Sequence, residues 1–162
     1  MNDLKFLKEV KMFPKTHIII NLLISIILLF LLPPLGVLIL FLSSFLIDVD
    51  HYLYYVVVKK RFSLKSAYNW FRLHGQKFKQ LSFNEVKKHK QGILILHGME
   101  PIIFLALLSK FFPLLIFVVL GFILHLIEDL IVERKLGTAE YKLSVVYSIY
   151  DHILKRKLKH II

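Results

Sequence analysis

Two carboxylates and an imidazole stand within four positions of a long apolar segment: Asp48, Asp50 and His51. On a helix, positions 48 and 51 lie on one face, whereas position 50 points about 100° away from position 51. We therefore expect Asp48 and His51 to share one ligand site, with Asp50 either bridging from the flank or orienting a neighbouring side chain. Membrane insertion disfavours such residues, so their presence in an apolar segment predicts a functional site.

The other apolar segments carry residues of the same two types. His97 and Glu100 are three positions apart, and His125 and Asp129 are four positions apart, so each pair projects from one face of a helix. The chain has no cysteine, so any metal must be bound by imidazole, carboxylate, backbone or water. The predicted metal ligands are His17, Asp48, Asp50, His51, His97, Glu100, His125 and Asp129.

Insertion energies favour a bound metal at these residues. Four carboxylates inside a bilayer would cost about 10 kcal/mol together, whereas zinc binding to an organised site contributes about 10–16 kcal/mol. Because the candidate ligands are numerous and offer only nitrogen and oxygen, we expect two divalent ions, zinc first and otherwise manganese or iron. A two-metal site generates hydroxide at neutral pH and clamps both oxygens of a displacement at phosphorus.

The composition predicts an integral membrane protein. Hydrophobic residues make up 57% of the 162 positions, more than in an ordinary soluble domain. Four apolar runs are long enough to approach or span a hydrocarbon core of about 30 Å. They predict a single all-α domain over 1–162, an integral membrane four-helix bundle. The predicted spans are about 17–32, 35–58, 92–109 and 111–132.

The basic residues predict the orientation of these spans. Of the 22 lysines and arginines, only Lys110 falls in a connection on the opposite side from the N-terminus, the 59–91 connection and the C-terminal tail. The N- and C-termini are therefore expected to be cytoplasmic, with no cleaved signal peptide. Two basic amphipathic helices, over 63–79 and within the tail 138–162, are expected to lie in the headgroup layer. A net charge of +11 is then a sign of topology, and we expect no nucleic-acid partner.

This orientation brings ionisable groups of all four spans to the same cytoplasmic depth. Pro101 is expected to kink the third helix and to free the carbonyl of His97. Glu128 faces away from its neighbours by about 100°, so a solvated or lysine-paired role is as reasonable as a site role. Four further histidines in basic stretches are expected at the surface: His74, His89, His152 and His160.

These motifs resemble those of a known family. Thr16-His17 before the first span, Asp48-x-Asp50-His51 in the second and His125-x-x-x-Asp129 in the last are similar to motifs of the small membrane-bound metal-dependent hydrolase-like proteins of the LexA-regulated type. The resemblance implies a ligand set with Asp50 at or beside it, and a distant similarity to zinc-dependent phospholipase C. The chain has His97-Gly98-Met99-Glu100 where many members look like His-Arg-x-x-Thr-His-Ser. The implied ligands are His17, Asp48, His51, His97, His125 and Asp129.

Three functions remain open from the sequence. The first is a metal-dependent hydrolase acting on a phosphoester of a lipid or other anionic amphiphile, with Glu100 or Asp50 as general base and no obligate protein partner. The second is a non-enzymatic metal-binding or metal-transport protein, which predicts polar residues further down the bundle, where the sequence offers little beyond Asn21, Ser25, Ser43 and Ser44. The third is a membrane di-iron oxidoreductase, for which only Asp48 and His51 have the usual carboxylate-first order.

Overall fold

A computed structural model describes residues 14–78, 85, 92–136 and 143–154. These residues form helices and contain no strand, so the predicted all-α class is confirmed. The helices are α1 (Pro14–Leu28), α2 (Pro34–Leu46), α3 (Val49–Lys59), α4 (Leu64–Phe78), α5 (Met99–Leu108), α6 (Leu115–Leu136) and α7 (Val145–Leu154).

A tight turn joins α1 to α2. The amide of Leu32 donates to the carbonyl of Leu28 at 2.9 Å, and α2 then begins with Pro34, whose missing N–H costs nothing at a first helical position. The short connection makes α1 and α2 packed neighbours.

The predicted second span is interrupted at Ile47 and Asp48, between α2 and α3. Around this break, Asp48, Asp50 and His51 each donate their amide to the carbonyl three residues earlier at 3.1 Å. In such a tighter turn, side chains three positions apart lie on the same face of the helix. Asp48 and His51 therefore lie on one face, as their spacing predicts.

The contact between α2 and α6 is the most extensive between helices of the described residues. Gly121 of α6 lies so close to α2 that a Cβ atom there would come within 2.1 Å of Ser43 Oγ and 2.5 Å of the Leu40 carbonyl. At the other end, the ring of Phe117 packs onto Gly36. The core beside this contact is formed by Ile47, Ile102, Val119, Phe122 and Leu126.

The third predicted span is helical over only part of its length. Residues 92–98 are not helical, and α5 begins at Met99 after an extended Gly98. The predicted kink at Pro101 is therefore wrong: Pro101 lies in the first turn of α5, where no intrahelical donor is needed. Because proline could not donate to the carbonyl of His97, starting the helix after His97 avoids that loss.

The two predicted amphipathic helices are present where the structure describes them. α4 covers nearly all of 63–79, and α7 covers the middle of the tail, whose residues 138–142 and 155–162 lie outside the described ones. The side chain of Glu100 joins α7 to α5, because it accepts hydrogen bonds from the α7 end of the chain.

Many large apolar side chains point outward, including Ile19, Leu23 and Ile27 of α1. Among the described residues, the stretch Pro34–Lys59, taken across its break, is long and apolar enough to cross a membrane. The apolar helices His17–Leu28 and Met99–Leu108 are shorter. A capacity for one membrane crossing is thus found, and the multi-pass arrangement stays a prediction.

Substitution of Gly121 should test the close approach of α2 and α6. Gly121→Val is expected to lower the free energy of unfolding by about 1–3 kcal/mol, because the added atoms would force the backbone of α2 away. Gly75 is the matched control, since nothing lies within 4 Å of a Cβ atom added there. Thermal unfolding in detergent measures both variants. Equal melting temperatures for Gly121→Val and Gly75→Ala would contradict the packing.

Candidate metal centre

Imidazoles and carboxylates from four parts of the chain, one of them α1, meet in one largely buried cluster. His125 is 0% exposed and His97 is 1% exposed, which is unusual for imidazoles without a specific partner. The inner cluster, as we name it, consists of the residues whose ring Nε2 atoms and carboxylate oxygens face one another: His17, Asp48, His51, His97, His125 and Asp129.

Asp48 is one of two carboxylates about which the imidazoles are arranged. Its Oδ1 atom lies 3.6 Å from His51 Nε2, 3.8 Å from His97 Nε2 and 3.6 Å from His125 Nε2. These three rings come from α3, from the segment before α5 and from α6. A single oxygen atom thus faces three ring nitrogens from different parts of the chain.

Asp129 divides its two oxygens between two sides of the cluster. Its Oδ1 atom lies 3.6 Å from His17 Nε2, whereas Oδ2 lies 3.8 Å from His97 Nε2 and 3.6 Å from His125 Nε2. Two groups of three ligand atoms share His125, and within each group the atoms lie within 4.8 Å of one another. The groups are His17 with His125 and Asp129, and Asp48 with His97 and His125.

The separations in the inner cluster fit a metal better than direct hydrogen bonds. Distances of 3.6–3.8 Å exceed the usual range for a hydrogen bond. Two ligands of a tetrahedral zinc site stand about 3.3–3.4 Å apart when each zinc–ligand distance is about 2.0–2.1 Å. The buried Nε2 atoms of His97 and His125 have no hydrogen-bond partner among the described residues. The donor set and spacing therefore fit a divalent ion.

Asp50 lies behind His97. It is buried, its Oδ2 atom accepts a hydrogen bond from the Leu96 amide at 2.6 Å, and the same oxygen lies 3.4 Å from His97 Nδ1. A carboxylate at Nδ1 holds the proton there and leaves Nε2 as the ligand atom. Of the two roles open for Asp50 from the sequence, this geometry favours orientation of a histidine.

Glu128 occupies the corresponding position behind His17. Its carboxylate is buried and hydrogen-bonded to His17 Nδ1, so that His17 Nε2 faces Asp129. The sequence left Glu128 evenly divided between a site role and a solvated role, and it was not among the predicted ligands. The signal that could have favoured the site role is its place beside Asp129 on α6, combined with the need of a buried His17 for a second partner. We call Asp50 and Glu128 the outer carboxylates.

Glu100 lies outside the inner cluster. Its Oε1 accepts hydrogen bonds from Ser144 Oγ at 2.5 Å and from the Val146 amide at 3.1 Å, and its Oε2 accepts one from the Val145 amide at 3.0 Å. These bonds satisfy the first turn of α7, where a carboxylate is favoured. The expected alignment of His97 and Glu100 on one helix face is wrong, since His97 precedes α5. The structure does not bring Glu100 to the inner cluster.

Of the four histidines expected at the surface, the two that the structure describes, His74 and His152, are half-buried rather than exposed. His74 lies in α4, with its Nδ1 atom 2.7 Å from the Trp70 carbonyl, and His152 lies in α7. His89 and His160 are outside the described residues. The contact of α4 with the cluster is instead made by Phe71, whose ring packs edge-on to His51 with the centroids 5.2 Å apart.

Comparisons with protein-family models, with curated proteins and with solved structures gave no match.

The outer carboxylates should control metal affinity without being ligands. Asp50→Asn and Glu128→Gln are each expected to weaken zinc binding about 10- to 100-fold, because the histidine behind which each lies would lose its fixed orientation and basicity. His125→Ala should weaken it more, since both ligand groups share His125. Competition with a chromophoric chelator in detergent measures these affinities.

His74→Ala is the control for that experiment, because its ring lies in α4 away from the inner cluster. Zinc affinity equal to that of the wild type in Asp50→Asn and Glu128→Gln would exclude the orienting role. A loss in Asp50→Asn as large as in His125→Ala would make Asp50 a direct ligand.

Proposed function

We propose that the protein is a membrane-embedded, metal-dependent hydrolase that cleaves a phosphoester of a lipid or other amphiphile at the cytoplasmic headgroup level. The observation that carries the proposal is the inner cluster: four imidazoles, three of them buried, and two carboxylates, facing one another at distances suited to a metal. Two divalent ions are proposed, with zinc first and manganese or iron as alternatives. The family resemblance of the motifs agrees with this reading.

The membrane setting is supported by the surface and by the charges. The outward faces of the helices carry leucine and isoleucine, and Pro34–Lys59 has the length and composition of a span. All but one of the lysines and arginines lie in the segments on the proposed cytoplasmic side of the four apolar runs. We therefore propose a multi-pass four-helix bundle with cytoplasmic termini and with α4 and α7 in the headgroup layer.

The residues divide the work of such a site. His17, His97 and His125 would hold the ions through Nε2, together with His51 and the carboxylates of Asp48 and Asp129. The outer carboxylates fix two of those rings. When bound, the ions would supply Lewis-acid activation of water and of the phosphoryl oxygens.

The accessible side of the inner cluster is formed by Asp48 and His51. Their side chains are 22% and 30% exposed, whereas those of His97 and His125 are 0% exposed. A substrate therefore reaches the cluster from the α3 side. Glu100 is engaged at α7 and Asp50 lies behind His97, so Asp48 and His51 are the ionisable groups at this open side.

Metal-dependent phosphoester hydrolysis is the test of this function. The purified protein in mixed micelles should release phosphate or phosphoalcohol from a panel of phospholipids. Activity should disappear on chelation and return with zinc or manganese. His125→Ala should reduce the rate by at least about 100-fold, because it removes the donor shared by both ligand groups. His74→Ala should keep the wild-type rate. Hydrolysis that persists after chelation, or in His125→Ala, would refute the mechanism.

A second function, metal transport, is favoured by a polar stripe on α1. Asn21 and Ser25 follow His17 at intervals of four residues, and all three are buried. Asn21 is 0% exposed, and neither its amide nitrogen nor its amide oxygen has a hydrogen-bond partner among the described residues. Ser43 and Ser44 of α2 are buried as well. Buried polar groups without hydrogen bonds are costly. The stripe of His17, Asn21 and Ser25 therefore suits a path for water or a hydrated cation.

Proteoliposomes loaded with a zinc-sensitive dye separate the two functions. If the protein transports zinc, Asn21→Leu should reduce the flux at least about 10-fold while leaving the zinc affinity of the inner cluster unchanged. Leu23→Ala, on the outward face of the same helix, is the control. Flux no greater than in empty liposomes would exclude transport, and hydrolysis would be unaffected by that result.

A further inference from the structure

A second polar site lies beyond the inner cluster, where α3 ends and α4 begins. It is a cavity of about 520 Å³ with an open mouth. Among the described residues, its walls contain two cations and no carboxylate. The polar and aromatic lining consists of Tyr55, Lys59, Arg61, Ser66, Asn69 and Trp70.

The backbone between the two cations brings both of them to this cavity. Lys60 has φ 54° and ψ 36°, in the left-handed region that a lysine rarely adopts. Its amide donates to the Val56 carbonyl at 2.9 Å, which ends α3 and reverses the direction of the chain. Lys59 and Arg61 therefore both line the cavity. Left-handed residues other than glycine often occur at functional sites.

The other lining residues suit an anion with several oxygen atoms. Ser66 lies in the first turn of α4, where its amide donates to Ser63 Oγ at 3.2 Å, so its hydroxyl is the group that it offers to a ligand. Asn69 offers an amide, and Trp70 forms an aromatic wall, with Lys59 Nζ 5.5 Å from the centre of its ring. Two cations and neutral hydrogen-bonding groups are the usual donors for phosphate.

The cavity and the inner cluster share α3 and α4. His51, Tyr55 and Lys59 follow one another at intervals of four residues along one face of α3, so Lys59 is about 12 Å along the helix from His51. On α4, Phe71 contacts His51 and its neighbour Trp70 contacts Tyr55. The two sites are thus adjacent but distinct.

We propose that this cavity binds the phosphate group of an anionic amphiphile, with Lys59 and Arg61 as the charged donors. It is a binding site independent of the chemistry at the inner cluster, and it would operate whether that cluster is hydrolytic or transports a metal. At the end of an apolar helix, the cavity lies where headgroups of a membrane would be found, which makes a phospholipid the nearest source of the phosphate.

Fluorescence of Trp70 tests the proposal directly, because the chain contains one tryptophan. Protein in a non-ionic detergent is titrated with dihexanoyl phosphatidic acid, with inorganic phosphate and with dihexanoyl phosphatidylcholine. A saturable change with phosphatidic acid, and a much weaker one with phosphatidylcholine, is expected. An equal affinity for inorganic phosphate would show that the phosphate group suffices, and no response to it would show that the attached chains contribute; both support the site.

Variants decide whether the two cations form the site. Lys59→Gln and Arg61→Gln are each expected to weaken phosphatidic acid binding about 10-fold, the usual effect of losing one charge-assisted hydrogen bond. Lys65→Gln is the matched control, since Lys65 is an exposed cation of α4 that does not line the cavity. Melting temperatures confirm that the variants are folded.

Two results would overturn the proposal. One is the absence of a saturable response to any phosphate compound. The other is a loss of phosphatidic acid affinity in Lys65→Gln as large as in Lys59→Gln, which would show that binding depends only on general surface charge. Binding should persist after a chelator has removed metal. A negative result for phosphate binding would therefore leave the hydrolase proposal intact, and a negative result for hydrolysis would leave the phosphate-binding cavity intact.

Discussion

The constraint on which the structure depends is the removal of carboxylates and imidazoles from water inside apolar helices. Such burial costs several kcal/mol for each charged group unless a partner replaces the lost water. Asp50 and Glu128 meet this requirement directly through His97 and His17. In the inner cluster, the Nε2 atoms of His97 and His125 face carboxylate oxygens across 3.6–3.8 Å and have no hydrogen-bond partner among the described residues. A divalent ion would satisfy these atoms together, which explains why acids and imidazoles are interleaved.

Departures from regular helix occur where the inner cluster needs them. The tighter turns around Ile47 and Asp48 align Asp48 with His51, and the non-helical segment before α5 leaves the Leu96 amide free to bind Asp50. The close approach at Gly121 lies one helical turn from His125. Its partner on α2, Ser44, lies one turn from Asp48. The α2–α6 contact thus sets the distance between two of the proposed ligands.

Regular periodicity made part of this site predictable. Asp48 with His51, and His125 with Asp129, lie on continuous or nearly continuous helix, so spacing alone placed each pair on one face. Residues 92–98 are as apolar as a span, and hydropathy cannot distinguish such a segment from helix. Glu100 was therefore assigned to the wrong face. The partnership of Glu128 with His17 depends on how α1 packs against α6, which spacing within one helix does not specify.

The two sites on α3 constrain what a ligand can be. The inner cluster is open at Asp48 and His51. The proposed phosphate-binding cavity begins one to two turns further along the same face of α3. One phosphate group cannot occupy both places, since they are about 12 Å apart along the helix. A ligand that engages both must carry two anionic groups. A ligand with a single phosphate would instead leave one of the two sites to a second ligand. The shared helices α3 and α4 place the proposed phosphate-binding cavity beside the open side of the inner cluster.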